Sequence, residues 1–497
     1  MFYSLRIRTP RWAGQFSTFL LLLNACMLTA LIHYWTGMHL PSSLSLWDRA
    51  PSKFWRHHHH HHHHAAADKE HDDLHVAPPQ AGRKDAPLDK SPAPALNAQN
   101  GSTLPGFCNV CGPEDTFCRK YGILGGSVTA GQGVAATEQW LRVYEAWWKS
   151  HFKGHVQVQN GAVPATDTGY VSMCFKEHID EDVDLVITEF AINDHRLEEN
   201  AQSYELLMRQ LLGLPKRPAV LNLQVLGLSF TRLTTGGDLH TAIAEYYDTP
   251  VISLRNSLLP QLMKTNSSIE TFFYKKPDGL VDTRHIGVRG HQMAGELLAA
   301  YTQRQICAMA QQQALAPEHL TGISEASQLA LDLDDVPSHL LFSGFNDPPA
   351  LVLDPYCSST RTKKHPLVPD FNDGRWQNWA WMLGGGHKEK KYVLAKEPGA
   401  KIGFKVPVRG GGMGRIRIQY LRSAQFGLGI LKCWLDDDTE NVARADGYWK
   451  WSLNIAAYTV VSNNATKGDH MLWCEMTGHT NSPDGRTEFR FIGVDSV

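Results

Sequence analysis

Between residues 107 and 310 apolar runs of strand length alternate with longer stretches whose apolar positions recur at helical spacing. Residues 121–124, 155–159, 185–190, 219–225 and 250–253 are predicted strands, and 137–149, 200–212, 240–247 and 290–302 are predicted helices between them. Strands that alternate with helices make a parallel sheet covered on both faces, with its chemistry past the carboxyl ends of the strands. After a polar connector over 311–338 the pattern shortens to β-prone segments separated by glycines, at 401–408, 415–422, 427–436 and 488–494. That spacing predicts an all-β sandwich over 339–497.

The N-terminal pattern differs from both. Residues 16–32 are uncharged and apolar, preceded by Arg6, Arg8 and Arg11 and followed by no acidic residue before Asp48. The basic flank predicts a cytoplasmic N-terminus and a single-pass type II signal anchor over about 16–35, within residues 1–40. Tyr34 and Trp35 stand where interfacial aromatics belong, and a cleaved signal peptide is the alternative. Residues 41–105 are rich in Pro, Ala, Asp and Lys and include eight consecutive histidines at 57–64. Such a stretch buries no core, so it reads as a disordered stem leading to the α/β domain at 106–310. The histidine run is a low-complexity tract capable of weak zinc or copper binding, and no other metal-ligand spacing or cofactor motif is present.

Composition narrows the class. Of 497 residues 42% are hydrophobic and 20% charged, enough for a full core, and a net charge of -2 without a basic stripe excludes a nucleic-acid binder. Nine cysteines, one of them Cys26 inside the first apolar run, suit disulfides in an oxidising compartment. Cys108, Cys111 and Cys118 lack a second metal-binding pair at finger spacing, which favours bridges over zinc. Cys433 with Cys474, and Cys307 with Cys357 across the two domains, are the expected pairs. Asn100, Asn266 and Asn464 open N-glycosylation sequons on the lumenal or extracellular side of a Golgi or cell-surface protein.

The first strand stops at Gly125-Gly126-Ser127, which is either a plain turn or a nucleophile at a sheet edge. Later strand ends supply the partners a nucleophile needs: Asn160-Gly161-Ala162, then Asn193, then Asp282-Thr283-Arg284-His285. An Asp three residues before a His reaches its Nδ1 and leaves Nε2 for the serine. The expected roles are Ser127 as nucleophile, His285 as base and Asp282 as its orienting carboxylate, with an oxyanion hole of the Ser127 and Gly161 amides and the Asn193 side chain. Asp194 is expected to fix its loop and His291 to be structural. Arg284 meets either solvent or an anionic substrate group.

Over residues 121–301 this order resembles the SGNH (GDSL-like) hydrolase superfamily. The carrying motifs are Gly125-Gly126-Ser127, Ala191-Ile192-Asn193-Asp194 and Asp282-x-x-His285. Glycine at 126 replaces the family's Asp, and Ala162 stands where its second-block glycine usually lies. The resemblance implies an SGNH-type, flavodoxin-like parallel sheet and a carboxylic ester hydrolase without cofactor. The tryptophan-rich C-terminal part, with Trp449 and Trp451 in its likeliest surface loop, suggests a carbohydrate-binding sandwich. Together these imply an esterase acting on O-acetyl groups of carbohydrate or glycoconjugate. The alternatives are an O-acetyltransferase using the same triad, an inactive glycan-binding protein and a lipase.

Overall fold

The computed structural model describes residues 117–152, 154–230, 232–265, 268–315, 336–381, 390–409, 412–451 and 453–497. The expected anchor, stem, histidine run, Asn100, Asn266, Cys108 and Cys111 lie outside the described residues. Among the described residues no helix is long and apolar enough to cross a membrane.

The first part runs β1 (Phe117–Gly125), α1 (Trp140–His151), β2 (Gly154–Asn160), α2 (Thr168–Cys174), β3 (Leu185–Glu189), α3 (Glu198–Leu212), β4 (Ala219–Gln224), α4 (Gly236–Tyr246) and β5 (Val251–Ser253). Then come α5 (Leu254–Lys264), α6 (Ser268–Phe272), β6 (Phe273–Lys275), β7 (Val281–Ile286) and α7 (Val288–Leu315). Strands β1 to β5 form one parallel sheet in the order β2-β1-β3-β4-β5. All five predicted strands are present. In β1, Tyr121 and Ile123 pack with Trp140, Leu141, Leu258 and Leu298 on one face, while Leu124 joins Phe175, Tyr204 and Leu207 on the other. Burial on both faces is what makes these strands apolar at successive positions. The order reverses between β1 and β3, so a crevice opens at their carboxyl ends. The last helix starts two residues before the expected 290 and extends to Leu315, past the expected 302 and into the expected connector.

The second part is antiparallel. Its strands are β8 (Tyr356–Ser359), β9 (Phe371–Asn372), β10 (Gln377–Trp381), β11 (Lys390–Ala395), β12 (Lys401–Val408), β13 (Ile416–Arg422), β14 (Ile430–Leu435), β15 (Ala443–Asp446), β16 (Ile455–Ser462), β17 (Gly468–Met476) and β18 (Phe489–Ser496). One sheet follows β10-β11-β18-β13-β16 with β8 also on β18, and the other β15-β14-β17-β12-β9. Between them Phe404, Ile418, Leu431, Leu472, Phe489 and Phe491 make the core of a sandwich. Cys433 and Cys474 face each other across β14 and β17 and are bridged, as the sequence suggests.

The parts meet on α2, all seven of whose residues are buried. Its outer side packs against Leu421, Ala456 and Ile492 of the sandwich. Cys357 of β8 is bridged to Cys174 at the end of α2, which replaces the expected Cys307–Cys357 pair: the tie between the parts exists, but the sandwich seats on α2. Beside it Arg417, buried in β13, pairs with Asp495 at 2.7 Å and donates to the Gly169 carbonyl at 2.7 Å. Tyr170 hydroxyl reaches Ser359 Oγ at 3.1 Å.

Candidate active site

The residues after β1 close a helical turn, with Ala130 N donating to Gly126 O at 3.0 Å and Gln132 N to Ser127 O at 3.0 Å. This turn holds Ser127 at the crevice, nearly buried. A Cβ at Gly126 would collide with the Asn193 side-chain amide, so glycine there is a condition of Asn193 standing beside the serine. The Gly126→Ala variant is expected to displace the Asn193 amide and lower kcat on an aryl acetate about 10²-fold, the effect of losing one oxyanion donor. An unchanged thermal midpoint measured in parallel separates this from unfolding.

Asp282 and His285 lie on β7, in a hairpin with β6 that stands apart from the main sheet. Leu228 N donates to Thr283 O at 2.7 Å and so ties the hairpin to the segment after β4. His285 Nε2 is 2.9 Å from Ser127 Oγ, and its Nδ1 is 2.8 Å from Asp282 Oδ2. The other carboxylate oxygen accepts from the amides of Arg284 at 3.0 Å and His285 at 3.3 Å. Burial pushes the Asp282 carboxyl up, but the His285 ring and these amides outweigh it and hold the group down at about 2. Asp282 is therefore an anion throughout the working pH range, facing the imidazole.

Asn193 follows β3, and its Nδ2 donates to Thr166 O at 2.9 Å, leaving its second hydrogen for the crevice. Gly161 departs from expectation. Its amide donates to Ile123 O at 2.8 Å in continuation of the β1–β2 ladder, and a Cβ there would lie 2.9 Å from His178 Cβ, so packing accounts for the glycine. Neither Gly161 nor Ala162 lines the cleft, whereas Ala165 does. Ala165 holds a left-handed backbone at φ 64°, unusual without glycine, and its carbonyl accepts from Ala456 N of β16 at 2.9 Å. Its amide donates to no acceptor among the described residues. Nothing in Pro164-Ala165-Thr166 announces this, because the conformation depends on a strand nearly 300 residues later in the chain.

The cleft, of about 150 Å³, has walls from both parts: Ser127, Asn193, Arg284 and His285 on one side, Lys390 and residues 453–456 on the other. Burial pushes the Lys390 ammonium down to about 8. Trp449 contacts the cleft residue His195 edge-on at 6.3 Å, and its indole donates to Leu453 O at 2.7 Å. Trp451 is 40% exposed, while Trp376 and Trp434 are core.

Other residues near the site serve structure. Asp194 accepts from Thr168 N at 2.9 Å and from its hydroxyl at 2.6 Å, and meets His240 Nε2 at 2.7 Å, so it fixes the Asn193 loop against α2. His291 is buried with its Nδ1 accepting from Trp140 N at 3.2 Å, and burial pushes its pKa down to about 3, keeping it neutral. Glu189, at the end of β3, is a group the sequence did not single out. It accepts from the Thr129 hydroxyl at 2.8 Å, and burial pushes it up to about 8. A raised carboxyl stabilises the fold fully below its unfolded value of about 4.5, and that contribution is lost as pH rises through about 8. The Glu189→Gln variant is expected to gain stability over wild type progressively between those limits, read as the difference of their thermal midpoints against pH.

No family model matches the chain, and no curated protein matches it. Among solved structures, it is similar to two crystal structures of a two-domain esterase (CEX) active on acetylated mannans, one of them co-crystallised with mannopentaose. Identity is 17% and 18%, the TM-score is 0.51 for each, and the match covers 76% of this chain and 90% or 91% of theirs. The chain therefore shares the two-domain fold of those structures, a parallel five-stranded sheet with helices followed by an antiparallel β-sandwich.

Proposed function

We propose that this chain is a serine esterase of the SGNH type that removes acetyl groups from carbohydrate. The observation that carries the reading is the unbroken relay Ser127–His285–Asp282 at a cleft, at 2.9 and 2.8 Å. His285 Nε2 takes the proton as Ser127 Oγ attacks the acetyl carbon, and the imidazolium is steadied by ionised Asp282. The developing oxyanion is met by the amides of Ser127 and Ala165 and by Asn193 Nδ2. His285 returns the proton to the departing sugar oxygen, then activates the water that releases acetate from the acetyl-serine.

Two observations support a short acyl group on a sugar. Among the described residues only Ala165, Leu453, Ile455 and Ala456 make the cleft wall apolar, little surface for a long acyl chain. The sandwich forms one wall and sets the Trp449–Trp451 loop beside it, as suits a sugar ring stacking on indole. The similar two-domain esterase acts on acetylated mannans. We further read the enzyme as lumenal or extracellular, tethered by the N-terminal segment; the disulfides and exposed Asn464 in its sequon support that reading.

The test is acetate release from acetylated glycans beside a series of aryl esters of increasing acyl length. Release of acetate, with aryl-ester rates falling as the chain lengthens, is expected. Rates that rise with chain length would make it a lipase, and turnover only with a sugar acceptor present would make it a transferase.

A further inference from the structure

Resting on the esterase reading, we propose that the sugar bearing the ester, or its neighbour in the chain, is acidic, and that Arg284 with the cations around the cleft binds its carboxylate. Arg284 sits between the two relay residues. Its backbone amide serves Asp282, and its side chain lines the cleft. There it is held at two points, over the Phe230 ring at 5.3 Å and by one hydrogen bond from Nη2 to the Ile192 carbonyl at 3.1 Å. A guanidinium has five N–H donors in a rigid fork, and among the described residues no carboxylate lies within salt-bridge distance of this one. A half-buried cation fixed in place by a ring and a carbonyl, with donors left over at a substrate cleft, is built for a planar anion.

The sandwich repeats the sign, with one cation in the cleft wall and two on the rings of the Trp449–Trp451 loop. Lys390 lines the cleft, Arg422 lies 5.5 Å from the Trp449 ring with its buried Nε unpartnered, and Lys450 lies 5.1 Å from the Trp451 ring. Two carboxylates stand nearby, each with a hydrogen-bond partner of its own. Asp282 is taken by His285, and Asp167 caps α2 by accepting from Tyr170 N at 3.2 Å. In a chain of net charge -2, two cations, Arg284 and Lys390, line the cleft, and two more stand on the rings of the neighbouring Trp449–Trp451 loop. A neutral glycan uses the indoles and leaves the guanidinium unmatched, while a uronic acid residue supplies the ring for the first and the carboxylate for the second.

The experiment compares binding of a galacturonate oligomer and a neutral mannose oligomer of equal length to the full chain carrying Ser127→Ala, by calorimetry at low and high salt. The acidic oligomer is expected to bind about ten-fold or more tightly, with an advantage that shrinks with salt. Arg284→Gln in that background should erase most of the preference, and Arg284→Lys should restore part of it. Equal binding of the two oligomers, or a preference indifferent to salt and to Arg284→Gln, overturns the proposal. The salt series needs no substitution at Arg284, so a misfolded variant does not rescue the idea. Because binding is read without turnover, failure here is distinct from failure of the esterase reading, which would show as no acetate release by the unmutated chain from acidic or neutral acetylated glycans.

Discussion

Replacing Ser127 by alanine is expected to lower kcat for acetate release by about 10⁵-fold or more, with the protein folded and still binding glycan. The relay has no substitute for the lost oxygen: His285 Nε2 lies 2.9 Å from Ser127 Oγ, and its Nδ1 is committed to Asp282. What remains in the variant is the cleft and the Asn193 donor, which hold a substrate but offer no acyl acceptor. Stability should change little, since alanine removes one nearly buried hydroxyl and opens no sizeable cavity. A variant that retained a tenth of the activity would place the nucleophile elsewhere.

The Arg417→Met variant is expected to lose about 3–5 kcal/mol of stability, read from its urea midpoint, because a buried carboxylate then stands without its cation. Asp495 is 1% exposed and accepts from Arg417 Nε at 2.7 Å, and the same guanidinium serves the Gly169 carbonyl in α2. Removing both charges as Arg417→Met with Asp495→Leu should recover much of the loss, as volume-matched apolar replacements of buried pairs do. Catalysis should suffer as well in the single variant. The pair seats the sandwich on α2, and the sandwich holds Ala165 through Ala456 N.

Much of the α/β architecture is legible in the sequence for a local reason. A strand buried on both faces must be apolar at successive positions, so 121–124 and 185–190 declare themselves, and β3 is buried at all five residues. The spacing of Asp282 and His285 is equally local, because one short strand carries both. What the sequence conceals depends on contacts between distant segments. Gly161 reads as an oxyanion donor until the β1–β2 ladder claims its amide, and Ala165 reads as an ordinary loop residue until β16 fixes its carbonyl. Helix α2 escapes the periodicity search because the sheet and the sandwich bury it on every side, leaving no polar face. The partner of Cys357 follows from that same docking. The sandwich reads from sequence as a separate carbohydrate-binding unit, yet it forms one wall of the candidate site.

The central claim is that Ser127 is a nucleophile activated by His285, and an active-site-directed phosphonate ester tests it most directly. Incubation of the full chain with the reagent, digestion and mass spectrometry of the peptides should find one phosphonyl adduct, on Ser127, absent from the Ser127→Ala and His285→Ala variants. An adduct on another residue, or none at all on a folded protein, would contradict the account.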